Sequence, residues 1–136
     1  MKLKNLPFPV YGDTSFRGKC PKEDLEQMTL FNRIRETKWG ALAIHVRNEG
    51  QLRKGQFSAV SKRKAEGMVK GASDVIIPAR VAFVCELKRR DHTQSNWQDG
   101  QIDYLKAAHD AGAFACVALG CDAAWDSFLD WVKLVE

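Results

Sequence analysis

Three charged side chains interrupt two apolar, β-branched runs: Asp74 stands at the head of the first, Glu86 and Lys88 at the end of the second. Two carboxylates and an ammonium can hold a hard divalent cation beside a water and stabilise negative charge growing on a phosphoryl oxygen. Whether they meet depends on the backbone between them. The runs 75–77 and 81–88 flank Pro78-Ala79-Arg80, so the segment reads as a tight β-hairpin. Alternation along a strand places Val81, Phe83, Cys85 and Leu87 on one side and Val84, Glu86 and Lys88 on the other. With the turn centred near Arg80, antiparallel partners sum to about 160, which sets Asp74 opposite or diagonal to Glu86 at roughly 5–8 Å. Ions beside apolar strands are costly unless paired or bound to metal. A structural Asp–Lys or Glu–Lys pair at a strand end fits the same residues, so the flanking elements decide.

The chain has 136 residues, enough for one domain with a sizeable core. Cys20, Cys85, Cys116 and Cys121 show no Cys-x-x-Cys spacing, and Cys85 and Cys116 lie in apolar runs, as expected of free thiols in a reduced, cytosolic protein. No apolar run approaches transmembrane length, and the first twenty residues, broken by Pro7 and Pro9, do not read as a signal peptide. Neither membrane insertion nor an organic cofactor is expected. The net charge is +4, unevenly placed. Arg47, Arg53, Lys54, Lys62, Arg63, Lys64 and Lys70 face only Glu49 and Glu66 between positions 47 and 70, so polyanion contact belongs to this middle segment.

Residues 1–20 read as an extended arm that packs on the domain or on a second subunit, and 21–136 as the domain proper. Pro21 opens an expected helix to about Lys38, with Leu25, Met28, Phe31 and Ile34 as its apolar face and Glu23 and Gln27 one turn apart. Ala41 to Val46 reads as a short strand in which His45 is half-buried and carries no chemistry. A short helix with the basic run Lys62-Arg63-Lys64 follows and leads through Gly67 and Gly71 to Asp74. Beyond Lys88, Ser95-x-x-Gln98 has the capping-box pattern of a helix through Ile102, Leu105 and Ala108. The run 114–119 is a buried strand, parallel to its neighbour through the helical crossover. Asp122 then caps a last helix with Trp125, Phe128, Leu129 and Val132 inward. The order predicts an α/β fold with a mixed sheet of about four strands flanked by helices.

Glu23-x-x-x-Gln27, His45-Val-Arg-Asn48-Glu-Gly50, Gly67-x-x-x-Gly71-x-x-Asp74, Glu86-x-Lys88 and Gln101-x-x-x-Leu105 follow one another as in the virus-type replication-repair nuclease (VRR-NUC) family, which belongs to the PD-(D/E)xK nucleases, and over residues 21–134 the chain resembles it. Ser73 and Arg47 stand where that family often has proline. The resemblance implies a restriction-endonuclease-like core and a nuclease site. Asp74 and Glu86 would be metal ligands, the Leu87 backbone carbonyl a third oxygen, and Glu23 the active-site glutamate, with Glu26 the next choice. Lys88 would be the electrostatic catalyst and Gln101 its positioner. Arg47, Asn48, Arg53, Lys54, Lys62, Arg63, Lys64, Lys70, Arg89 and Arg90 would bind nucleic acid. The expected activity is a Mg²⁺- or Mn²⁺-dependent DNA endonuclease, acting as a homodimer on branched or flapped DNA such as four-way junctions in phage-type replication, recombination or repair. A non-catalytic nucleic-acid-binding module on the same scaffold, and an interaction protein whose basic loop docks on an acidic partner, are the alternatives; RNA is a possible substrate.

Overall fold

Val75–Ile77 (β3) and Phe83–Lys88 (β4) form an antiparallel hairpin in which Val75 faces Cys85, Ile76 faces Val84 and Ile77 faces Phe83. This is the register expected from a turn at Pro78-Ala79-Arg80. The computed structural model describes residues 1–46 and 57–136, with the backbone alone for 57–60. Around the hairpin the described residues form a five-stranded sheet in the order β1-β5-β4-β3-β2. Here β1 is Val10–Tyr11, β2 is Ile44–His45 and β5 is Phe114–Leu119. β4 and β5 pair in parallel, as do β5 and β1, while β3 and β2 run antiparallel to their neighbours. The helices are α1 (Glu23–Arg35), α2 (Phe57–Ala65), α3 (Gln101–Asp110) and α4 (Cys121–Val135). The fold is α/β with a mixed sheet flanked by helices, and none of the described helices is long and apolar enough to cross a membrane.

The fifth strand comes from the arm. Residues 1–20 lie on their own domain: β1 extends the sheet, Phe8 is buried beside Val84, Leu105 and Val117, and the Trp97 indole donates to the Lys2 carbonyl. Pleating divides the core in two. Val75, Ile77, Phe83, Cys85, Leu87, Cys116 and Ala118 pack against α1 and α4, whereas Val84, Ala115 and Val117 face α3 and the arm. Full burial of a side chain such as Phe83 or Leu87 is worth roughly 1.5–3 kcal/mol. Glu86 and Lys88, out of phase with those residues, lie on the α3 side.

Several helical details differ from expectation. α1 begins at Glu23 rather than Pro21, and its buried face is Glu26, Leu30, Phe31 and Ile34, while Leu25 and Met28 are exposed. Glu26 is the reason. Its carboxylate accepts the Cys121 backbone N–H at the start of α4, which draws this side of α1 inward. Gly120, not Asp122, precedes α4, and Asp122 instead pairs with Arg33. On α4 Trp131 is fully buried beside Phe128, and Leu129 points out. Ser95 and Gln98 do not open α3, which starts at Gln101 after Gly100. The expected strand at 41–46 is reduced to β2, and His45 within it is exposed.

Candidate active site

Strand alternation and the hairpin register bring the acidic end of β4 against α3. Glu86 and Lys88 are each only 1% exposed although both are formally ionic. One glutamine joins them: Gln101 donates from Nε2 to Glu86 Oε1 at 2.8 Å and accepts at Oε1 from Lys88 Nζ at 2.9 Å. The same Gln101 oxygen accepts the Gln98 backbone N–H, so Gln101, not Gln98, closes the first turn of α3. Lys88 also donates to the Asn96 carbonyl at 2.7 Å and lies 5.5 Å from the centre of the Trp97 ring. Its distance to Glu86 Oε1 is 3.8 Å, an ion pair without a direct hydrogen bond.

Asp74 enters from β3. Its Oδ2 accepts the Leu87 backbone N–H at 2.9 Å, which fixes the carboxylate beside β4. The approach of this loop to α3 is set by glycine. Gly71 has φ +79°, and a Cβ there would lie 2.2 Å from the Gly100 carbonyl carbon, so any side chain would push the Asp74 loop away from the start of α3. Lys70 and Asp99 bridge the same contact at 2.5 Å. Glu23, on the first turn of α1, accepts from the Ser95 hydroxyl at 2.7 Å, and that oxygen in turn accepts the Arg89 backbone N–H.

Electrostatically Glu86 is the unusual member. Burial pushes its carboxyl well above the usual range, the Asp74 and Glu23 charges add to this, and Lys88 opposes it. Its Oε2 is buried with no donor group within reach among the described residues, and the neighbouring Asp74 carboxyl, close enough to share a proton, also raises the Glu86 pKa. An orphaned, desolvated carboxylate oxygen beside a second carboxylate is a site whose charge a cation would balance. No group of three or more His, Cys, Asp or Glu side chains is clustered for metal binding among the described residues. Two carboxylates, Asp74 and Glu86, are the donor types taken by a hard ion that completes its shell with carbonyl and water oxygens.

The raised pKa has a stability consequence. A folded-state pKa above the unfolded value favours folding below about pH 4.5 and loses that contribution as pH rises through the folded value. Glu86→Gln should therefore raise the Tm of the metal-free protein at pH 8, with the gain shrinking towards pH 4.5. Thermal unfolding in chelator at both pH values checks this, and a variant less stable than wild type throughout would contradict it.

Of the other residues singled out in the sequence, Arg47, Asn48, Arg53 and Lys54 lie outside the described residues. Lys62 and Lys64 are exposed on α2, as is Arg63, with Lys62 3.9 Å from Glu66. Arg89 is engaged within the chain, donating to the Cys20 and Pro21 carbonyls, and Arg90 stacks 4.1 Å from the Phe16 ring. Nothing in the sequence marks Asn96, Trp97 or Asp91 for the site, and Ser95 carries only the capping-box pattern. Asp91 accepts from Gly18, Thr93 and Gln94, contacts that hold its carboxyl below the ordinary range and tie the arm to the loop beneath Lys88. The Asp-x-Thr spacing, suited to an Asx turn, was its only sequence mark.

No family model and no curated protein matches the chain. Among solved structures, that of a VRR_NUC domain protein superposes with a TM-score of 0.70 over 89% of this chain and 94% of that one, at 20% sequence identity. The fold implied by the ordered motifs is thus the fold observed.

Proposed function

We propose, from the VRR_NUC-type fold and the cluster of half-buried Asp74 with buried Glu86, Lys88 and Gln101, that this protein is a metal-dependent DNA endonuclease. The observation that carries the reading is Glu86 Oε2, buried and unpartnered beside Asp74, with Lys88 held by Gln101 on the other flank. Asp74 and Glu86 would hold Mg²⁺ or Mn²⁺. An extended residue presents its N–H and C=O to the same side of the strand, so the Leu87 carbonyl is directed to the side where Asp74 receives the Leu87 N–H, as a third ligand requires. Glu23 would hold a water or a second ion. When bound, the ion polarises the phosphoryl oxygen and lowers the pKa of water.

The protein's own groups have separable tasks. Lys88 has three donors, two of them used by Gln101 and Asn96, which leaves one to meet the charge that develops as water attacks phosphorus and the sugar oxygen departs. Gln101 fixes the ammonium and Glu86 together, so both sit in place before substrate arrives. Ground-state phosphate binding falls to the basic 47–70 segment. Replacing Lys62, Arg63 and Lys64 together with alanine should therefore weaken DNA binding and reduce the slope of log K against log salt by up to about 3. An unaltered slope, measured by fluorescence titration across salt, would place the DNA elsewhere.

We assign the activity to branched DNA, such as flaps and four-way junctions in phage-type replication, recombination or repair, cut by a homodimer that brings two copies of the site to two strands. Phe8 is buried in its own domain, so we take α1, with its exposed Leu25 and Met28, rather than the arm as the dimer surface. Leu25→Glu with Met28→Glu should yield a monomer by light scattering that has lost paired junction cuts. A variant that remains dimeric would exclude this face.

The nuclease reading is tested by incubating purified protein with labelled duplex, flap, four-way junction, single-stranded DNA and RNA in Mg²⁺, Mn²⁺ or chelator. Cleavage that requires the ion supports it. Tight binding without cleavage under any condition would favour the non-catalytic module.

A further inference from the structure

His45 sits on the edge strand β2, where it pairs with Val75, the residue after Asp74. Its Nδ1 lies 2.9 Å from the Asp74 backbone oxygen. A carbonyl oxygen can only accept, so Nδ1 carries the proton and donates. Asp74 is therefore gripped at two points: His45 holds its backbone from the β2 side, and the Leu87 N–H holds its carboxylate from the β4 side. Nothing in an ordinary edge strand requires this. Ile44 and His45 are both exposed, so burial gives β2 little anchorage, and the imidazole bond fastens the strand end to Asp74.

We propose that His45 is a positioning residue for Asp74, clamping its main chain so that the carboxylate stays seated on Leu87 with its other oxygen, Oδ1, directed towards a divalent cation. The inference rests on the nuclease reading for the identity of the ion, but the clamp itself can be measured without metal. Groups that orient a metal ligand through one hydrogen bond commonly change metal affinity or activity by about 10–100-fold when removed. Asp74 has a short side chain and immediately precedes the three-residue strand β3, so freedom in its main chain passes directly to the carboxylate.

Two substitutions separate the clamp from mere occupancy of the edge. His45→Ala removes the donor, whereas His45→Asn places an amide nitrogen near the position of Nδ1 and can still donate to the Asp74 carbonyl. In the metal-free protein, hydrogen exchange of the Leu87 amide should quicken at least about 10-fold in His45→Ala relative to the Cys85 amide of the same strand, and return to within about 3-fold of wild type in His45→Asn. Calorimetric Mn²⁺ titration should follow the same order, with affinity about 10-fold weaker in His45→Ala and largely restored in His45→Asn. Unchanged exchange and affinity in His45→Ala, or His45→Asn as defective as His45→Ala, would overturn the proposal. If wild type binds no Mn²⁺, the nuclease reading fails while the exchange experiment still decides the clamp.

Discussion

On the proposed nuclease reading, Asp74→Ala and Glu86→Ala should each reduce the single-turnover rate of DNA cleavage by at least about 10³-fold while leaving the domain folded, since each would remove a ligand from an ion that would supply most of the charge stabilisation. The two losses should not add: once one ligand is gone, the site no longer assembles, so the double variant should be about as inactive as either single one. Folding survives for a physical reason. Removing either carboxylate also removes a repulsion that burial makes costly, as the raised Glu86 pKa indicates. Circular dichroism and rapid-quench cleavage of a labelled junction measure the two quantities separately. A variant with wild-type rate would take that residue out of the site.

Lys88→Ala should lose about 10²–10⁴-fold in the chemical step yet bind DNA within about 3-fold of wild type, because a group acting on transition-state charge changes rate more than affinity. Lys88 is buried, so its truncation leaves Gln101 Oε1 and the Asn96 carbonyl short of a donor, and some thermal destabilisation is expected. Lys88→Met, which keeps the length of the side chain beside Trp97, controls for the lost volume, while leaving the same two acceptors without the ammonium. Both variants should show the same loss of rate if charge is the cause. Weakened binding with an unchanged chemical step would make Lys88 an ordinary phosphate contact.

The hairpin was legible because its information is local. A Pro-Ala-Arg turn between apolar runs fixes the register, and period-two alternation then places Glu86 and Lys88 on one face, as the pairing of Val75 with Cys85 requires. The parallel β4–β5 pair followed from the helix between two apolar runs, for similar reasons. Long-range polar contacts were not legible. Glu26 counts as polar in any periodicity, yet it is buried because the start of α4 needs an acceptor, and this rotates Leu25 and Met28 into solvent. Ser95 looked like a helix cap because its sequence neighbours fit one; its hydroxyl instead serves Glu23, seventy-two positions away. β1 escaped notice because two residues between proline and glycine carry no strand pattern of their own and pair only because β5 offers an edge. His45 has no visible role in the sequence, since nothing there shows the Asp74 carbonyl that its ring meets.

Isothermal titration of Mn²⁺ into wild type and into Glu86→Ala tests the central claim most directly, because it asks whether the Asp74 and Glu86 carboxylates hold a cation before any DNA is present. The site predicts saturable binding by the wild type and at least about 10-fold weaker binding by Glu86→Ala. Equal affinity in the two proteins, or no binding by the wild type, would contradict it.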